Sequence, residues 1–264
     1  SIPTPTEEKI TTLYCGLLGK VFAGTATGKV FDLSESSPRL IAQSHAKAAI
    51  KKIYAPTPSA ILACTKNSAL WKIHTDQEAF FEKEYTNAID DCTFSDSVTK
   101  VLVLLSSDTE ETKLVRLTTY GYTLDERIFQ LKHARLSPDG KSLLGISSDL
   151  SLNSLVFKYL GLDDSTEETF FIKDSEKSNT YIPKGSNEAI IPWNGAMVGL
   201  PTLDLGFSNL GNFFYVTYGK GKLCIFNVHT GSFEEFVQNH APVTYIDETD
   251  KELAIIRPTV PGIT

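Results

Sequence analysis

Histidine side chains are the groups in this sequence best suited to bind a metal or to move a proton, and they are scattered along the chain. The five of them are His45, His74, His133, His229 and His240. Neither His45 nor His240 has a cysteine, an aspartate or a second histidine at the spacing of a zinc or other transition-metal site. We interpret both as loop histidines that bind the backbone or a strand hydroxyl.

Nucleophilic catalysis has no local sequence signal either. A Ser-His-Asp triad is assembled in space and leaves no fixed spacing, so spacing alone does not exclude one. The Gly-x-Ser-x-Gly turn that exposes a nucleophilic serine in many hydrolases does not occur. We therefore predict no catalytic residue, no metal ligand and no cofactor.

An acidic run is the remaining candidate for ion binding, through its carboxylates. Its members are Asp163, Asp164, Glu167 and Glu168. The run lacks the Asp-x-Asp-x-Asp-Gly order of a calcium loop, which favours a solvated loop. From residue 163 to residue 201 the chain carries seven acidic and three basic side chains.

Trp193 lies in an apolar, glycine- and proline-punctuated stretch of the same region. Long connections inside compact folds are often functional, and tryptophan is enriched at interface hot spots. Trp193 and the acidic run are therefore candidate docking residues. The alternative is that Trp193 packs against the side of the fold.

A repeated unit of short strands must position these groups. Residues 45–76 and 203–247 each contain apolar strands, a turn, a hydrophobic run and a polar loop. The matching third-strand residues are Phe31, Trp71, Val115, Phe157 and Phe226, spaced by 40, 44, 42 and 69 positions. A period of about 40–45 residues with several strands is typical of a β-propeller. The longest spacing predicts an insertion at residues 174–201, between blades four and five.

The predicted fold is a single all-β domain over residues 1–264. It is a β-propeller of four-stranded antiparallel blades, with five full blades and a partial sixth. Such a count leaves the ring incomplete, and three explanations stay open. The sequence is an excerpt of a longer chain, residues 1–9 supply an outer strand, or a partner adds strands to an exposed edge.

Charge and cysteine use limit the expected partners and compartment. The formal net charge of −7 disfavours nucleic-acid binding, which needs a basic surface. The short basic cluster Lys47, Lys51 and Lys52 is interpreted as a solvated strand edge. The sequence contains no apolar run of 18 residues, so it predicts no membrane-spanning helix.

The four cysteines lie in apolar, strand-like stretches, without a Cys-x-x-Cys pair or a glycosylation sequon anywhere in the chain; they are Cys15, Cys64, Cys92 and Cys224. We interpret them as buried thiols, with no signal for a disulfide. We expect a reducing, intracellular compartment, nuclear or cytoplasmic.

The repeat resembles the WD40 family. In residues 43–73, QSHAKAAIKKIYAPTPSAILACTKNSALWKI, His45 takes the family's histidine position and Trp71 its tryptophan position. His240 takes the next histidine position. The resemblance departs from the family where Ser44 and Asn239 replace the glycine before histidine, and where Lys72 and Asn227 replace the closing aspartate; Asp32 keeps that aspartate in the first blade.

Degenerate repeats of this kind imply a non-enzymatic protein–protein interaction scaffold, a subunit of a larger multiprotein assembly with other proteins as partners. Looser strand patterns resemble the N-terminal propellers of scaffold nucleoporins, which implies a nuclear pore complex and the nuclear envelope. The alternative is a small-molecule hydrolase of the lactonase-like propeller type. That enzyme needs polar groups on the central channel, and the predicted first strands offer a small, mixed set: Asp90, Asp91, Lys132 and Asp204.

Overall fold

The structure is a computed structural model built of β-strands and the turns between them. It describes residues 8–16, 19–73, 79–95, 97–107, 111–147, 154–163, 167–174, 190–193, 204–208, 210–218, 222–229, 233–237, 245–248 and 253–256. These ranges contain 23 strands and no α-helix. A helix with the length and hydropathy of a transmembrane segment is not found among these described residues. The chain divides into two compact units, Ser1–Gln130 and Leu131–Thr264.

Three four-stranded antiparallel sheets make up the first unit, and each matches one predicted blade. Blade 1 consists of β1 (Ile10–Cys15), β2 (Val21–Thr25), β3 (Lys29–Asp32) and β4 (Arg39–Gln43). Blade 2 consists of β5 (Lys52–Tyr54), β6 (Ile61–Cys64), β7 (Ser68–Lys72) and β8 (Phe81–Glu84). Blade 3 consists of β9 (Ile89–Phe94), β10 (Lys100–Ser106), β11 (Thr112–Thr118) and β12 (Thr123–Phe129). In each blade the strands follow chain order across the sheet, so every connection joins neighbouring strands.

The hydrophobic cores of the first unit lie between consecutive blades. Successive side chains of a strand point to opposite faces of the sheet, so β7 sends Leu70 to one core and Trp71 to the other. The core between blades 1 and 2 includes Phe22, Val30, Ile50, Ile61 and Leu70. The core between blades 2 and 3 includes Leu62, Trp71, Phe94, Val103 and Leu117. Each such side chain contributes about 1.5–3 kcal/mol on burial.

Strand β10 of blade 3 carries a continuous apolar run that is buried on both faces of the strand. All five side chains from Val101 to Leu105 are buried, as the uninterrupted apolar sequence predicted. Val103 sits between Cys92 on β9 and Val115 on β11. A strand that alternates apolar and polar residues would be buried on one face only.

The second unit contains three further sheets. Blade 4 consists of β13 (Leu131–Leu136), β14 (Ser142–Ser147), β15 (Ser154–Gly161), β16 (Glu167–Asp174) and β17 (Ile190–Trp193). Blade 5 consists of β18 (Asp204–Phe207), β19 (Phe213–Tyr218), β20 (Lys222–Asn227) and β21 (Phe233–Val237). A two-stranded sheet follows, formed by β22 (Tyr245–Glu248) and β23 (Leu253–Ile256). It matches the predicted partial sixth blade. In blade 5, Phe214 and Phe226 stack with their ring centroids 4.6 Å apart.

Strand β17 was not predicted. It pairs in parallel with β16, so Ile190 lies opposite Phe171 and Trp193 opposite Asp174. Blade 4 thereby gains a fifth strand from within the predicted insertion at residues 174–201. Asp174 belongs to β16, the other residues of that insertion lie outside the described ones, and its boundaries stay a prediction.

Candidate interaction surface

His45 lies in the connection from blade 1 to blade 2, and it binds the outer strand of blade 2. Its Nδ1 is 2.6 Å from Oε2 of Glu82, and its backbone N–H donates to the same oxygen at 3.0 Å. Ser44, at the glycine position of the repeat, donates its hydroxyl to Oε1 of Glu82 at 2.7 Å. The Glu82 side chain is 6% exposed, so these donors replace the water it has lost. The partner of His45 is thus a carboxylate, where we expected the backbone or a strand hydroxyl.

Trp71, at the tryptophan position of the repeat, reaches the next blade. Its side chain is buried, and its indole N–H donates to the carbonyl of Thr119 at 2.7 Å. Its ring stacks on Phe81 with centroids 5.9 Å apart. Because a buried indole N–H needs an acceptor, this bond fixes Thr119 against blade 2.

Thr119 belongs to the turn between β11 and β12, residues 118–123, which we name the tyrosine hairpin. The backbone N–H of Thr118 donates to the carbonyl of Tyr122 at 2.8 Å, and Gly121 donates to the carbonyl of Thr118 at 3.0 Å. Gly121 has φ +87°, a left-handed conformation that glycine adopts without strain. The side chain of Lys83 binds Oγ1 of Thr123 at 3.0 Å. The turn is therefore held from inside and from blade 2.

The tyrosine hairpin and β12 carry most of the exposed apolar bulk of the described residues. Four of the seven large apolar side chains that are exposed there lie between positions 120 and 128. They are Tyr120 at 66%, Tyr122 at 74%, Leu124 at 51% and Ile128 at 63% exposure. Tyr120 also packs edge-to-face on Phe81, with centroids 6.2 Å apart. The ring of Tyr120 thus continues an aromatic series that begins at buried Trp71 and passes through Phe81.

Two charged side chains of β12, Asp125 and Glu126, have partners on β11. Lys113 Nζ lies 2.5 Å from Glu126 Oε2, and Arg116 Nη1 lies 3.7 Å from Asp125 Oδ2. The Asp125 and Glu126 side chains stay 43% and 46% exposed, so the exposed apolar side chains of the hairpin and β12 lie beside charged groups.

The docking residues predicted from the acidic region are only partly described. Asp163 is exposed in the turn after β15, and Glu167 and Glu168 begin β16, so two of the four acidic residues belong to a strand. Trp193 ends β17. Asp164 and His240 lie outside the described residues. The docking role of this region stays a prediction.

Lys52 and Asp91 form an ion pair between the first strands of blades 2 and 3. Nζ of Lys52 is 2.5 Å from Oδ1 of Asp91, whose side chain is 3% exposed. The N–H of Cys92 donates to the same oxygen at 2.8 Å. Burial has the largest single effect and lowers the pKa of Lys52, but the attraction and hydrogen bond of Asp91 and the nearby thiols of Cys92 and Cys64 together outweigh it, so the pKa is raised overall. The Lys52 side chain is 38% exposed, and Lys47 and Lys51 are exposed, so the cluster does lie at a solvated edge; the ion pair of Lys52 with Asp91 was not predicted.

The side chains of two of the four polar residues considered for a reactive channel on the first strands are described. Of the four polar residues considered there, Asp91 is bound to Lys52, and Asp90 is half-buried. The side chains of Lys132 and Asp204 lie outside the description. No group of three or more His, Cys, Asp or Glu side chains placed to hold a metal occurs in the part of the chain that the structure describes.

Three cysteines are described, and all three are free thiols. Cys64 and Cys92 are buried in the core between blades 2 and 3, as interpreted. Cys15 is exposed, so the interpretation as a buried thiol was wrong for it. The side chain of Cys224 lies outside the description.

Asp32 keeps the closing aspartate of the repeat, and it is buried in blade 1. Its Oδ1 accepts from the N–H of Ser34 at 2.9 Å, and its Oδ2 lies 3.2 Å from Arg39 Nη2 and 3.7 Å from Lys20 Nζ. Burial alone raises the pKa of a carboxyl group. Here the hydrogen bonds from Ser34 and the charges of Lys20 and Arg39 outweigh burial and hold the pKa of Asp32 below its usual value.

We expect Asp32→Asn to remove part of the pH dependence of stability. Because the folded-state pKa of Asp32 is lowered, its contribution is fully present above the unfolded pKa of about 3.9 and is lost as pH falls through the folded value. Urea denaturation at pH 7 and in this acidic range measures the effect. The free energy of unfolding should fall more on acidification in the wild type than in the variant, and equal falls would contradict the assignment.

The residues that matter here were only partly visible in the sequence. The pattern Thr-Thr-Tyr-Gly-Tyr-Thr at residues 118–123 places two aromatic residues beside a turn glycine, where polar residues are usual, and that signal was missed. Glu82 had no signal, because Phe-Glu-Lys-Glu is typical of any exposed outer strand. Its partners lie 37 and 38 positions away.

No family model and no curated protein matches the sequence. Solved structures do match. The β-propeller domain of Myceliophteria thermophila Cps50 (Swd1) has a TM-score of 0.61 and 12% identity, over 97% of this chain and 82% of that one. Hydrazine synthase of Kuenenia stuttgartiensis has a TM-score of 0.59 and 11% identity, over 90% of this chain and 70% of that one.

The WD40 domain of Toxoplasma gondii coronin has a TM-score of 0.52 and 8% identity, over 86% of this chain and 57% of that one. Identities this low are informative about the fold alone, and one fold serves unrelated functions. The repeated strand pattern, the four-stranded antiparallel sheets and these neighbours agree. The chain therefore has an all-β, WD40-like β-propeller fold, with five full blades and a partial sixth.

Proposed function

We propose that this protein is a non-enzymatic protein–protein interaction scaffold that docks partner proteins on its tyrosine hairpin. The observation that carries the proposal is that four of the seven exposed large apolar side chains among the described residues lie between positions 120 and 128, namely Tyr120, Tyr122, Leu124 and Ile128. Large apolar side chains grouped on a soluble surface mark interaction sites. Tyrosine is enriched among the residues that contribute most to binding.

The fixed geometry of the hairpin supports the same proposal. Trp71 holds Thr119, and Lys83 holds Thr123, so both sides of the turn are tied to blade 2. Within the turn, the N–H of Tyr122 also donates to Oγ1 of Thr118 at 3.1 Å. A surface that is ordered before binding loses less conformational entropy when a partner docks. The two tyrosines therefore gain affinity from structure already present in the free protein.

The edge of β12 favours contact through side chains over addition of a partner strand. The register of β12 against β11 shifts between Arg116 and Leu117, which marks a bulge or similar irregularity. Asp125, Glu126 and Arg127 stand in the same strand. Bulges and charges are the devices by which proteins prevent strand addition at a sheet edge. The partner is thus proposed to cover the tyrosine and leucine side chains.

The lactonase-like alternative has no supporting observation. Such an enzyme needs charged groups free to bind a metal or to polarise a carbonyl. Asp91, the buried carboxylate of the first strands, is bound by Lys52 and by the backbone of Cys92. We therefore propose binding and not catalysis as the role of this chain.

We further propose that the protein is a subunit of a larger assembly in a reducing compartment of the cell, nuclear or cytoplasmic. The buried thiols of Cys64 and Cys92 support a reducing compartment. The degenerate repeat supports a scaffold of the kind found in large assemblies, the nuclear pore included. A partner that completes the partial sixth blade is part of this proposal.

Affinity capture from a cell extract tests the function, provided that it uses matched variants. We expect the wild type to retain a protein in stoichiometric amount, and Tyr120→Ala/Tyr122→Ala to retain at least about thirtyfold less of it. Leu210→Ser is the control, because Leu210 is 54% exposed in the turn of another blade. Thermal unfolding of each variant checks that the fold is intact. Equal retention by the hairpin variant and the control would overturn the proposal.

A further inference from the structure

A cleft of about 220 Å³ opens on the surface of the first unit, between β4 of blade 1 and strands β7 and β8 of blade 2. Five apolar residues line it: Ile41, Ala42, Leu70, Ala79 and Phe80. The polar lining consists of Gln43, His45 and Glu82. Small-molecule sites usually measure about 300–1,000 Å³. The cleft is smaller than that range, which suits one side chain of a partner protein and not a cofactor.

Glu82 gives the cleft a negative charge. Its side chain is 6% exposed, and neither lysine nor arginine is among the lining residues. A carboxylate accepts hydrogen bonds at about four lone-pair positions. Ser44, the His45 backbone and the His45 ring use three of them. One acceptor position of the Glu82 carboxylate therefore remains for a cationic donor.

The His45 ring is the donor that a ligand could replace most easily. Its side chain is 85% exposed, so displacing it uncovers no core. The His45 backbone N–H and the Ser44 hydroxyl belong to the connection between the blades and would stay in place. An incoming cation would then occupy the position of the imidazole beside Oε2 of Glu82.

We infer that this cleft receives an arginine side chain from a partner protein. The guanidinium binds Glu82 in place of the His45 ring, and the methylene stem lies against Ile41, Leu70 and Phe80. Arginine is favoured over lysine because its planar group matches a carboxylate with two donors and is less strongly hydrated. Apolar walls below a charged head group match the two parts of that side chain.

The cleft and the tyrosine hairpin share one strand. Side chains of a strand alternate in direction, and in β8 Glu82 faces the cleft while Phe81 and Lys83 contact the hairpin. A partner docked on the hairpin is therefore one strand away from the cleft. That a partner protein supplies the arginine rests on the proposed function. Binding of a guanidinium group in the cleft depends only on blades 1 and 2.

Methyl NMR of the whole chain tests the cleft without a known partner. The probe is N-acetyl-arginine amide, and its neutral control is N-acetyl-citrulline amide, which has nearly the same shape. We expect the arginine probe to shift the methyl signals of Ile41 and Leu70 in a saturable way, and the citrulline probe to leave them unchanged. Equal shifts from both probes, or none from arginine, would overturn the inference. Capture by the hairpin would be unaffected, so the two failures are distinguishable.

Three variants sharpen this test. Glu82→Gln should weaken the arginine probe by about tenfold, or about 1.4 kcal/mol. His45→Ala should bind it as well as the wild type or better, because the competing ring is gone. Gln43→Lys, an exposed change at the same cleft, should weaken binding without a change in thermal unfolding. Loss of binding in His45→Ala, or no effect of Gln43→Lys, would contradict the proposed geometry.

Discussion

Replacing Trp71 with alanine is expected to lower the free energy of unfolding by about 3–5 kcal/mol, the usual cost of removing a buried tryptophan from a core. The ring is 1% exposed in the core between blades 2 and 3, and its N–H holds the carbonyl of Thr119. The change leaves a cavity and an unpaired acceptor together. Urea denaturation followed by circular dichroism measures the loss.

Trp71→Phe separates the two effects. Phenylalanine keeps an aromatic ring in the core but cannot donate to Thr119, so it should cost about 1–3 kcal/mol of stability. It should also increase hydrogen exchange in the tyrosine hairpin more than in β10, which has no bond to Trp71. An alanine variant as stable as the wild type would show that Trp71 does not join the two blades.

Replacing Tyr122 with alanine is expected to weaken binding of the captured partner by about 2 kcal/mol, or roughly thirtyfold. Tyr122 is the most exposed large apolar side chain among the described residues, at 74%, and its backbone is fixed by Thr118. Tyr120→Ala should have a smaller effect, because part of that ring already packs on Phe81. Isothermal titration with the purified partner measures both.

The free energy of unfolding of these tyrosine variants shows whether a loss of binding comes from the interface or from a loss of folding. Surface changes of this kind usually alter the free energy of unfolding by less than about 0.5 kcal/mol. Tyr122→Phe should keep most of the affinity if the ring makes the contact, and should lose affinity if the hydroxyl does. An alanine variant that binds as tightly as the wild type would remove the hairpin from the interface.

The fold could be predicted from the sequence because its signals are local and repeated. Phe31, Trp71, Val115, Phe157 and Phe226 all lie in the third strand of a blade, as their spacing predicted. The continuous apolar run at Val101–Leu105 correctly predicted a strand covered on both sides. Each blade needs its neighbour to bury its faces, so the period itself specifies the architecture.

The candidate sites could not be predicted in the same way because they depend on contacts between distant residues. The cleft depends on hydrogen bonds from Ser44 and His45 to Glu82. The hairpin depends on the bond from Trp71 to Thr119, 48 positions away. The ion pair of Lys52 could not be predicted because its partner Asp91 lies 39 positions away, with no local signal that links the two. Strand β17 was missed because its pairing with β16 crosses a long connection without a turn signal.

Site-specific photo-crosslinking tests the interaction surface most directly. A benzophenone amino acid is placed at position 122, and as a control at position 36, an exposed turn of blade 1. We expect position 122 to form a crosslink to a partner protein in cell extract, excess wild type to compete for it, and Tyr120→Ala to reduce it. Crosslinks of equal yield and identity from positions 122 and 36, or none from position 122, would contradict this expectation.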